Sequence, residues 1–209
     1  MNLAQPATMP KAVVFDLGKV LVDFDYGLAA RKLAARSKMA PQEVLSFFGQ
    51  SPLLFRYETG LLSNEEFFRE VCTATGYRGG FEEFGEGFGD IFNPIPAMVE
   101  LQTALRRRFP TYIFSNTNDL AIRYLRRTYP FMGNFDGYIL SYEQRAMKPG
   151  AKIYEAVERQ TGRRGADILY LDDRPENIAT GAERGWQVLL QESPEKTQAA
   201  IRKLGLLNE

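Results

Sequence analysis

The strongest constraint on the fold is a set of five short apolar segments rich in β-branched and aromatic residues. Each is apolar almost without interruption, as expected for strands that are buried on both faces of a parallel sheet. Helical patterns over 118–128, 151–161 and 175–184 separate the later segments. This alternation predicts an α/β fold with a doubly wound parallel sheet. The five segments are AVVFD (12–16), TYIFS (111–115), GYILS (137–141), ILYLD (168–172) and QVLLQ (187–191).

The long interval between the first two segments follows a different pattern. Residues 26–108 contain no convincing strand, but aromatic residues such as Phe81, Phe84 and Phe88 recur there at helical spacing. Such a pattern is typical of the core of a helical bundle. We therefore predict an all-helical cap over 26–108, inserted into a core that residues 1–25 and 109–209 form.

Composition excludes several classes of chemistry. The 209-residue chain has no histidine and one cysteine, Cys72, which excludes histidine bases, disulfide frameworks and cysteine zinc sites. Lys plus Arg and Asp plus Glu both total 26, so there is no basic footprint for nucleic acid. No apolar run approaches the roughly 20 residues that span a membrane, and residues 1–10 lack the apolar core of a signal peptide. We expect a reduced, cytoplasmic protein, and no protein partner is implied.

Carboxylates stand at the ends of two predicted strands, where open parallel sheets bind their ligands. Asp16 ends the first segment, and the adjacent Asp172 and Asp173 end the fourth. Neighbouring carboxylates at one edge would repel each other unless a cation held them. With no His or Cys at hand, oxygen ligands suit Mg²⁺. The alternative is that Asp173 caps the helix that Pro175 begins.

Two further segments supply groups that suit a phosphate. The hydroxyl of Ser115 and the main-chain N–H groups after it, beginning with Asn116, are natural donors to phosphate oxygens. Asn118 is the better candidate for capping the helix that follows. Lys148 precedes the helix that starts near Ala151 and could neutralise phosphate as a point charge, although such a lysine in isolation is usually a surface residue.

These motifs occur in one order on successive strands, and together they resemble a known family. With FDLGKVLVDFD, FSNTN, MKPGAKIYE and LDDRPENIATGAERG, the chain resembles the haloacid dehalogenase-like (HAD) hydrolase superfamily. The resemblance covers residues 12–25 and 109–191 and is greatest to capped phosphatases, namely sugar-1-phosphate phosphatases and the phosphatase domain of soluble epoxide hydrolase. It implies a Rossmann-like core and a Mg²⁺-dependent phosphatase that acts on a small phosphorylated metabolite, such as a sugar phosphate.

The resemblance also implies catalytic and substrate-binding roles. Asp16 would be the nucleophile that forms an aspartyl-phosphate, with Ser115 and Lys148 as its catalytic partners. Ser115, Asn116 and Lys148 would hold the oxygens of the transferring group, because phosphoryl transfer needs positioning and charge neutralisation.

A metal site is implied in the same way. Mg²⁺ would bind Asp16, the main-chain carbonyl of Gly18 and Asp173, with Asp172 supporting them from beside the ion. Asn177 stands where many relatives carry an acid, and we expect it to orient the ligands.

Gly18 departs from the family pattern, in which an aspartate protonates the leaving oxygen and later activates water. Loss of such help costs roughly 10²–10⁴-fold in rate. One hypothesis is an acidic leaving group, as in a sugar 1-phosphate or an acyl phosphate. Another is a substitute acid, for which Asp23 and Asp25 are candidates unless they form a solvated turn. In the cap, Tyr57 and Glu58 are candidates for facing the pocket.

Two other functions stay open at this stage. A metal-independent 2-haloacid dehalogenase would use the same nucleophile, but it has no cation to keep Asp172 and Asp173 both charged. A catalytically weakened binding or regulatory protein is favoured only by Gly18. The phosphatase ranks above both.

Overall fold

The structure is a computed structural model that describes residues 8–207, apart from the side chain of Gln50. The predicted absence of a signal peptide concerns residues 1–10, most of which lie outside the described residues. No helix in the described part of the chain is both long and apolar enough to cross a membrane.

A five-stranded parallel sheet forms the centre of the molecule. Its order is β5-β4-β1-β6-β7, so that β1 is the middle strand and pairs with β4 on one side and β6 on the other. This confirms the predicted α/β fold, and each strand lies within its predicted segment. The strands are β1 Ala12–Phe15, β4 Thr111–Ser115, β5 Gly137–Leu140, β6 Ile168–Asp172 and β7 Gln187–Leu190.

The burial of the strands explains their composition. Every residue of β1 and of β6 is buried, because helices cover both faces of the sheet. On one face, Val13 and Phe15 pack with Ile113 and Leu171, and on the other, Val14 packs with the ring of Tyr170.

Helices connect the strands and flank the sheet. Asn118 caps α7 by accepting a hydrogen bond from the main-chain N–H of Ala121 at 3.0 Å, as predicted. Asp173 makes no side-chain cap to α10, and the capping alternative for it is wrong; the main-chain N–H of Arg174 bonds Asp172 instead. The helices of this part are α6 Pro96–Arg106, α7 Asp119–Thr128, α8 Ser141–Gln144, α9 Ala151–Thr161, α10 Pro175–Glu183 and α11 Pro194–Lys203, with short 3₁₀ turns at Pro130–Gly133 and Gly165–Asp167.

Five of the six helices between β1 and β4 form a hydrophobic cluster of their own, in the region that we propose as the cap. Their shared core is aromatic: Phe67 and Tyr57 stack with ring centroids 4.0 Å apart, and Phe84 stacks on Phe88 at 5.8 Å. Cys72 packs at the edge of this core, half-buried in α4. The helices are α1 Tyr26–Ala34, α2 Pro41–Gln50, α3 Pro52–Glu58, α4 Asn64–Thr75 and α5 Phe81–Gly89.

A two-stranded antiparallel ribbon links cap and sheet. Strand β2 (Val22–Phe24) pairs with β3 (Phe92–Pro94), and Asp25 N–H donates to the carbonyl of Ile91 across the ribbon at 3.2 Å. The prediction that 26–108 contains no strand is therefore wrong at 92–94. Three residues that include a proline carry no strand signal of their own, and the partner strand lies about 70 residues earlier in the chain.

The last helix before β4 packs with the sheet. Met98, Leu101 and Leu105 of α6 belong to the same buried cluster as Val13 and Phe15 of β1. The buried residues of the cap core, in contrast, come from α1 to α5, with Tyr77 from the loop between α4 and α5 and Leu120 from α7. The predicted boundary at 108 thus includes one helix of the sheet layer, and we propose instead that the cap ends near Asp90.

Candidate active site

The carboxyl ends of β1, β4 and β6 bring the predicted polar residues together. Asp16 directly follows β1, Ser115 ends β4 and Asp172 ends β6, because these three strands are neighbours in the sheet. Lys148, from the loop before α9, reaches the same point. A cavity of about 140 Å³ opens at this edge, and it is lined by Asp16, Gly18, Lys19, Phe24, Ser115, Asn116, Lys148, Asp173, Arg174 and Asn177.

Lys148 is the centre of the cluster. Its Nζ lies 2.8 Å from Asp16 Oδ1 and 2.7 Å from Asp172 Oδ2, and it also donates to the carbonyl of Phe114 at 2.9 Å. The side chain is 2% exposed. Burial disfavours its charge, but the two carboxylates outweigh burial and raise the pKa of Lys148 above its ordinary value. The two carboxylates thus favour the charged ammonium and hold it in place.

Asp172 serves to position other groups. It is fully buried, and both of its oxygens accept hydrogen bonds from the amide of Asn177, at 3.0 and 3.1 Å. Oδ1 also accepts from Arg174 N–H at 2.8 Å, and Oδ2 accepts from Lys148 and from the hydroxyl of Tyr170. Asn177 therefore orients this carboxylate, and Asp172 in turn holds the lysine.

Asp16 keeps one oxygen free. Oδ1 accepts from Leu17 N–H at 2.7 Å and from Lys148, whereas Oδ2 accepts no hydrogen bond from the described residues. In the described part of the chain, every fully buried polar side-chain atom has a hydrogen-bond partner. Oδ2 has none, so it is not fully buried, and it faces the cavity that Asp16 lines. Burial raises the pKa of Asp16, and the neighbouring lysine opposes the rise.

The donor set fits a divalent cation. One carboxylate oxygen from each of Asp16, Asp172 and Asp173 lies within 4.8 Å of the others. Asp173 is half-buried and forms no ion pair with any described residue; burial and then the charge of Asp172 raise its pKa. The three carboxylates share one buried ammonium, that of Lys148. The other two cations that line the cavity, Lys19 and Arg174, each pair with a different acid, Asp23 and Glu176. All-oxygen ligands with negative charge suit Mg²⁺.

The loop after β4 is tied to the loop that carries Lys148. The side-chain amide of Asn116 donates to the carbonyl of Lys148 at 3.0 Å and accepts from its N–H at 2.8 Å. The side chain of Asn116 therefore holds the loop that carries Lys148, and only its main-chain N–H is available for a ligand. Ser115 Oγ makes only a long contact of 3.4 Å with the carbonyl of Asn116 and lines the cavity.

Phe24 fills the space above Gly18. A Cβ built on Gly18 would lie 2.8 Å from Cε1 of the Phe24 ring, closer than real Cβ contacts. Sequence analysis missed Phe24 as a site residue, because its place over Gly18 depends on the ribbon. Lys19 lies over the same ring at 4.7 Å and forms an ion pair with Asp23.

The two cap candidates lie in different environments. Tyr57 is 2% exposed and stacks in the cap core, so it does not line the cavity. Glu58, the next residue, is half-buried where α3 meets the start of α8, and its main-chain carbonyl accepts from the Ser141 hydroxyl. A larger groove of about 490 Å³ between α1, α5 and α7 shares no residue with the site.

Comparison with known proteins identifies the family. The sequence profile of the haloacid dehalogenase-like hydrolases matches residues 10–185. The chain belongs to this family. A D-ribitol-5-phosphate phosphatase from Bacteroides thetaiotaomicron is 25% identical over 192 residues, which cover 88% of this chain and 93% of that protein. The resemblance that the motifs indicated is confirmed, and the chain is a hydrolase of this family.

Solved structures share the fold of this HAD hydrolase. A HAD family enzyme from Bacteroides thetaiotaomicron, in complex with magnesium and inorganic phosphate, superposes with a TM-score of 0.79 at 22% identity, over 87% of this chain and 94% of that one. A predicted HAD-like family hydrolase from Porphyromonas gingivalis gives a TM-score of 0.81 at 22% identity, over 94% and 98%.

Proposed function

We propose that the chain is a Mg²⁺-dependent phosphatase that hydrolyses a small phosphorylated metabolite through an aspartyl-phosphate on Asp16. The observation that carries the proposal is the free Oδ2 of Asp16, which faces the cavity beside a fixed ammonium and a cluster of three carboxylates. A buried carboxylate with one open oxygen and a cation nearby has the arrangement that a nucleophile requires.

The residues of the chain divide the work of phosphoryl transfer. Asp16 Oδ2 attacks phosphorus, and the bond between phosphorus and the leaving oxygen breaks. The hydroxyl of Ser115 and the main-chain N–H of Asn116 bind oxygens of the transferring group. The Lys148 ammonium, whose three N–H groups are already hydrogen-bonded, offsets the charge of that group from beside it. Water then attacks the phosphorus of the aspartyl-phosphate, which releases inorganic phosphate and restores the Asp16 carboxylate.

Asp16, Asp173 and the main-chain carbonyl of Gly18 would hold the metal, with Asp172 fixed behind them. When bound, Mg²⁺ neutralises charge on the phosphoryl oxygens and lets the phosphate dianion approach the carboxylates. Without a cation, the clustered carboxylates of the site would repel that dianion.

The size of the cavity supports a small substrate. About 140 Å³ is well below the roughly 300–1,000 Å³ of typical ligand pockets, and it accommodates a phosphoryl group with little else. The leaving group must therefore lie outside it, toward the cap. Sugar phosphates and sugar-alcohol phosphates are the substrate class to test first, since the curated relative is a D-ribitol-5-phosphate phosphatase.

The test is a phosphate-release screen over small phosphorylated metabolites, with Mg²⁺ and with a chelator. We expect Mg²⁺-dependent release from at least one ester and none from Asp16→Asn. Chelator-insensitive loss of chloride from 2-chloropropionate would instead establish the dehalogenase. Ligand binding without phosphate release above background, in the parent as in Asp16→Asn, would establish the regulatory protein.

A further inference from the structure

The site lacks an acid at residue 18, and the acids nearest in sequence are committed elsewhere. Asp23 pairs with Lys19, whose hydrogen bond lowers the pKa of Asp23 and makes it a poor proton donor. Asp25 caps α1 by accepting from Gly27 N–H at 2.7 Å, and it lies 3.5 Å from Arg31. The hinge acids that sequence analysis considered are therefore unsuited to the task.

We propose that Glu58, at the end of α3, donates a proton to the leaving oxygen and then accepts one from the attacking water. Glu58 thereby replaces the aspartate that Gly18 lacks, with its carboxyl reaching the leaving group from the cap side. The inference rests on the proposed phosphatase function.

Hydrogen bonds place Glu58 beside the loop that follows β4. Ser141 Oγ lies 2.6 Å from the carbonyl of Glu58 and accepts from Thr117 N–H at 2.9 Å. Thr117 is two residues beyond Ser115, which lines the cavity. The side chain of Asn118, in the same loop, is near enough to the Glu58 carboxyl to lower its pKa. Glu58 is therefore anchored at the boundary where cap and catalytic edge meet.

Two aromatic residues, Tyr26 and Phe24, link the surroundings of Glu58 to the cavity. Glu58 is close enough to Tyr26 of α1 for its charge to add to burial in raising the pKa of that hydroxyl. Tyr26 packs edge to face on Phe24, with ring centroids 5.3 Å apart, and Phe24 covers Gly18. A leaving group that extends from the small cavity toward the cap must pass this rim.

No cation neutralises the Glu58 carboxyl. In the described part of the chain, no Lys or Arg nitrogen lies within 4.0 Å of it, and the adjacent Arg56 pairs with Glu70 of α4 at 2.9 Å. The groups near the carboxyl are polar: the hydroxyl of Tyr26 from α1 and the amide of Asn118. The hydroxyl of Ser141 from α8 contacts the main-chain carbonyl of Glu58. Burial raises the pKa of Glu58 to about 7, and the amide of Asn118 opposes the rise. Acid and base forms are thus both populated near neutrality, as general acid–base catalysis requires.

The proton balance closes over one turnover. As the ester bond between phosphorus and oxygen breaks, the Glu58 carboxyl proton passes to the leaving alkoxide and yields an alcohol. The Glu58 carboxylate then takes a proton from the water that attacks the phosphorus of the phosphorylated Asp16. Inorganic phosphate departs, and Asp16 and Glu58 return to their starting forms.

The test compares Glu58→Gln with the parent on two esters of different leaving group. An alkyl phosphate needs a proton on its leaving oxygen, whereas p-nitrophenyl phosphate does not. We expect kcat/KM on the alkyl ester to fall about 10²-fold or more, with the aryl ester nearly unchanged. In the parent, kcat/KM on the alkyl ester should fall above about pH 7 as Glu58 loses its proton, and this limb should be absent from Glu58→Gln.

Glu65→Gln is the matched control, since Glu65 is an exposed acid on the same cap, and it should behave as the parent on both esters. Equal losses on both esters, or an unchanged pH limb, would overturn the role of Glu58. If Glu58→Gln unfolds, the parent alone decides, because an alkyl profile that matches the aryl profile rejects the proposal. Absence of phosphate release by the parent, or full activity of Asp16→Asn, would instead reject the phosphatase function itself.

Discussion

Lys148 Nζ lies 2.7 Å from Asp172 Oδ2, and neither side chain is more than 2% exposed. This contact joins the loop before α9 to the end of β6. It also fixes the ammonium at 2.8 Å from Asp16. The position of this charge at the carboxyl edge of the sheet therefore depends on Asp172, both of whose oxygens already accept hydrogen bonds.

Asp172→Asn should therefore destabilise the fold and lower activity together. Removing one partner of a buried ion pair costs about 3 kcal/mol, the lower end of the usual range, because Asp16 still faces the lysine. The free energy of unfolding in urea measures this. Asp167→Asn, which removes the partly exposed pair with Lys11, is the control and should cost less than about 1 kcal/mol. Equal losses from the two variants would contradict the role of Asp172.

Gly18→Asp should not restore the family's acid by itself. The Phe24 ring occupies the space of the new side chain, so the aspartate must displace it or turn away. With Phe24→Ala as the background, adding Gly18→Asp should raise turnover of an alkyl phosphate about 10-fold or more. Steady-state turnover of the single and double variants decides. A gain from Gly18→Asp alone that matches the gain in the Phe24→Ala background would show that the ring is no obstacle.

Asp173→Asn should uncouple thermal stability from Mg²⁺. The parent's Tm should rise with Mg²⁺ concentration, because an ion that binds only the folded state stabilises it. In the variant this rise should be reduced, whereas the metal-free protein should melt at a slightly higher temperature, since one like charge beside Asp172 is gone. Thermal unfolding over a Mg²⁺ titration measures both effects. An undiminished Mg²⁺ response would exclude Asp173 as a ligand.

Glu158 should contribute stability that acid removes. Its carboxylate accepts from Arg184 at 2.9 and 2.7 Å and from the Trp186 indole at 3.2 Å, and these bonds lower its pKa. A lowered folded-state pKa gives stability that is present above the unfolded value of roughly 4.3 and is lost as pH falls through the folded value.

Glu158→Gln should accordingly cost about 2 kcal/mol at pH 7 and much less near pH 3. Urea unfolding at the two pH values provides the measurement. Glu155→Gln removes only an exposed contact with Arg159 at 4.0 Å and should have little effect at either pH. A pH-independent cost of Glu158→Gln would show that packing, and not the charge, is responsible.

The sheet was predictable because the local sequence of each strand is enough to identify it. A continuous apolar segment specifies a buried parallel strand without reference to its partners, and Asp16, Ser115 and Asp172 follow from the rule that ligands bind at strand ends. The ribbon and the position of Phe24 were not predictable. Strands β2 and β3 are three residues long, and their sequences do not indicate a strand until the two are paired. For a related reason, the packing of α6 against the sheet was not predictable. Its apolar residues show that one face is buried, but they do not indicate which element buries that face.

The roles within the site show the same limit. That Asn116 binds the main chain of Lys148, and that Asp172 is saturated with hydrogen bonds, depends on which side chains meet in three dimensions. The sequence motifs predict which residues belong to the cluster. The division into groups that react and groups that hold others in place required coordinates.

The paired strands β2 and β3 make the cap an exchangeable module. The chain leaves the sheet layer and returns to it through two adjacent strands, which the bond from Asp25 N–H to the Ile91 carbonyl closes. A segment spliced between these two residues would begin and end at nearly one point, leaving the sheet's register undisturbed. The ribbon is thus a suitable junction for exchanging the cap. A different cap joined there could change the substrate preference and leave the carboxyl edge of the sheet unaltered.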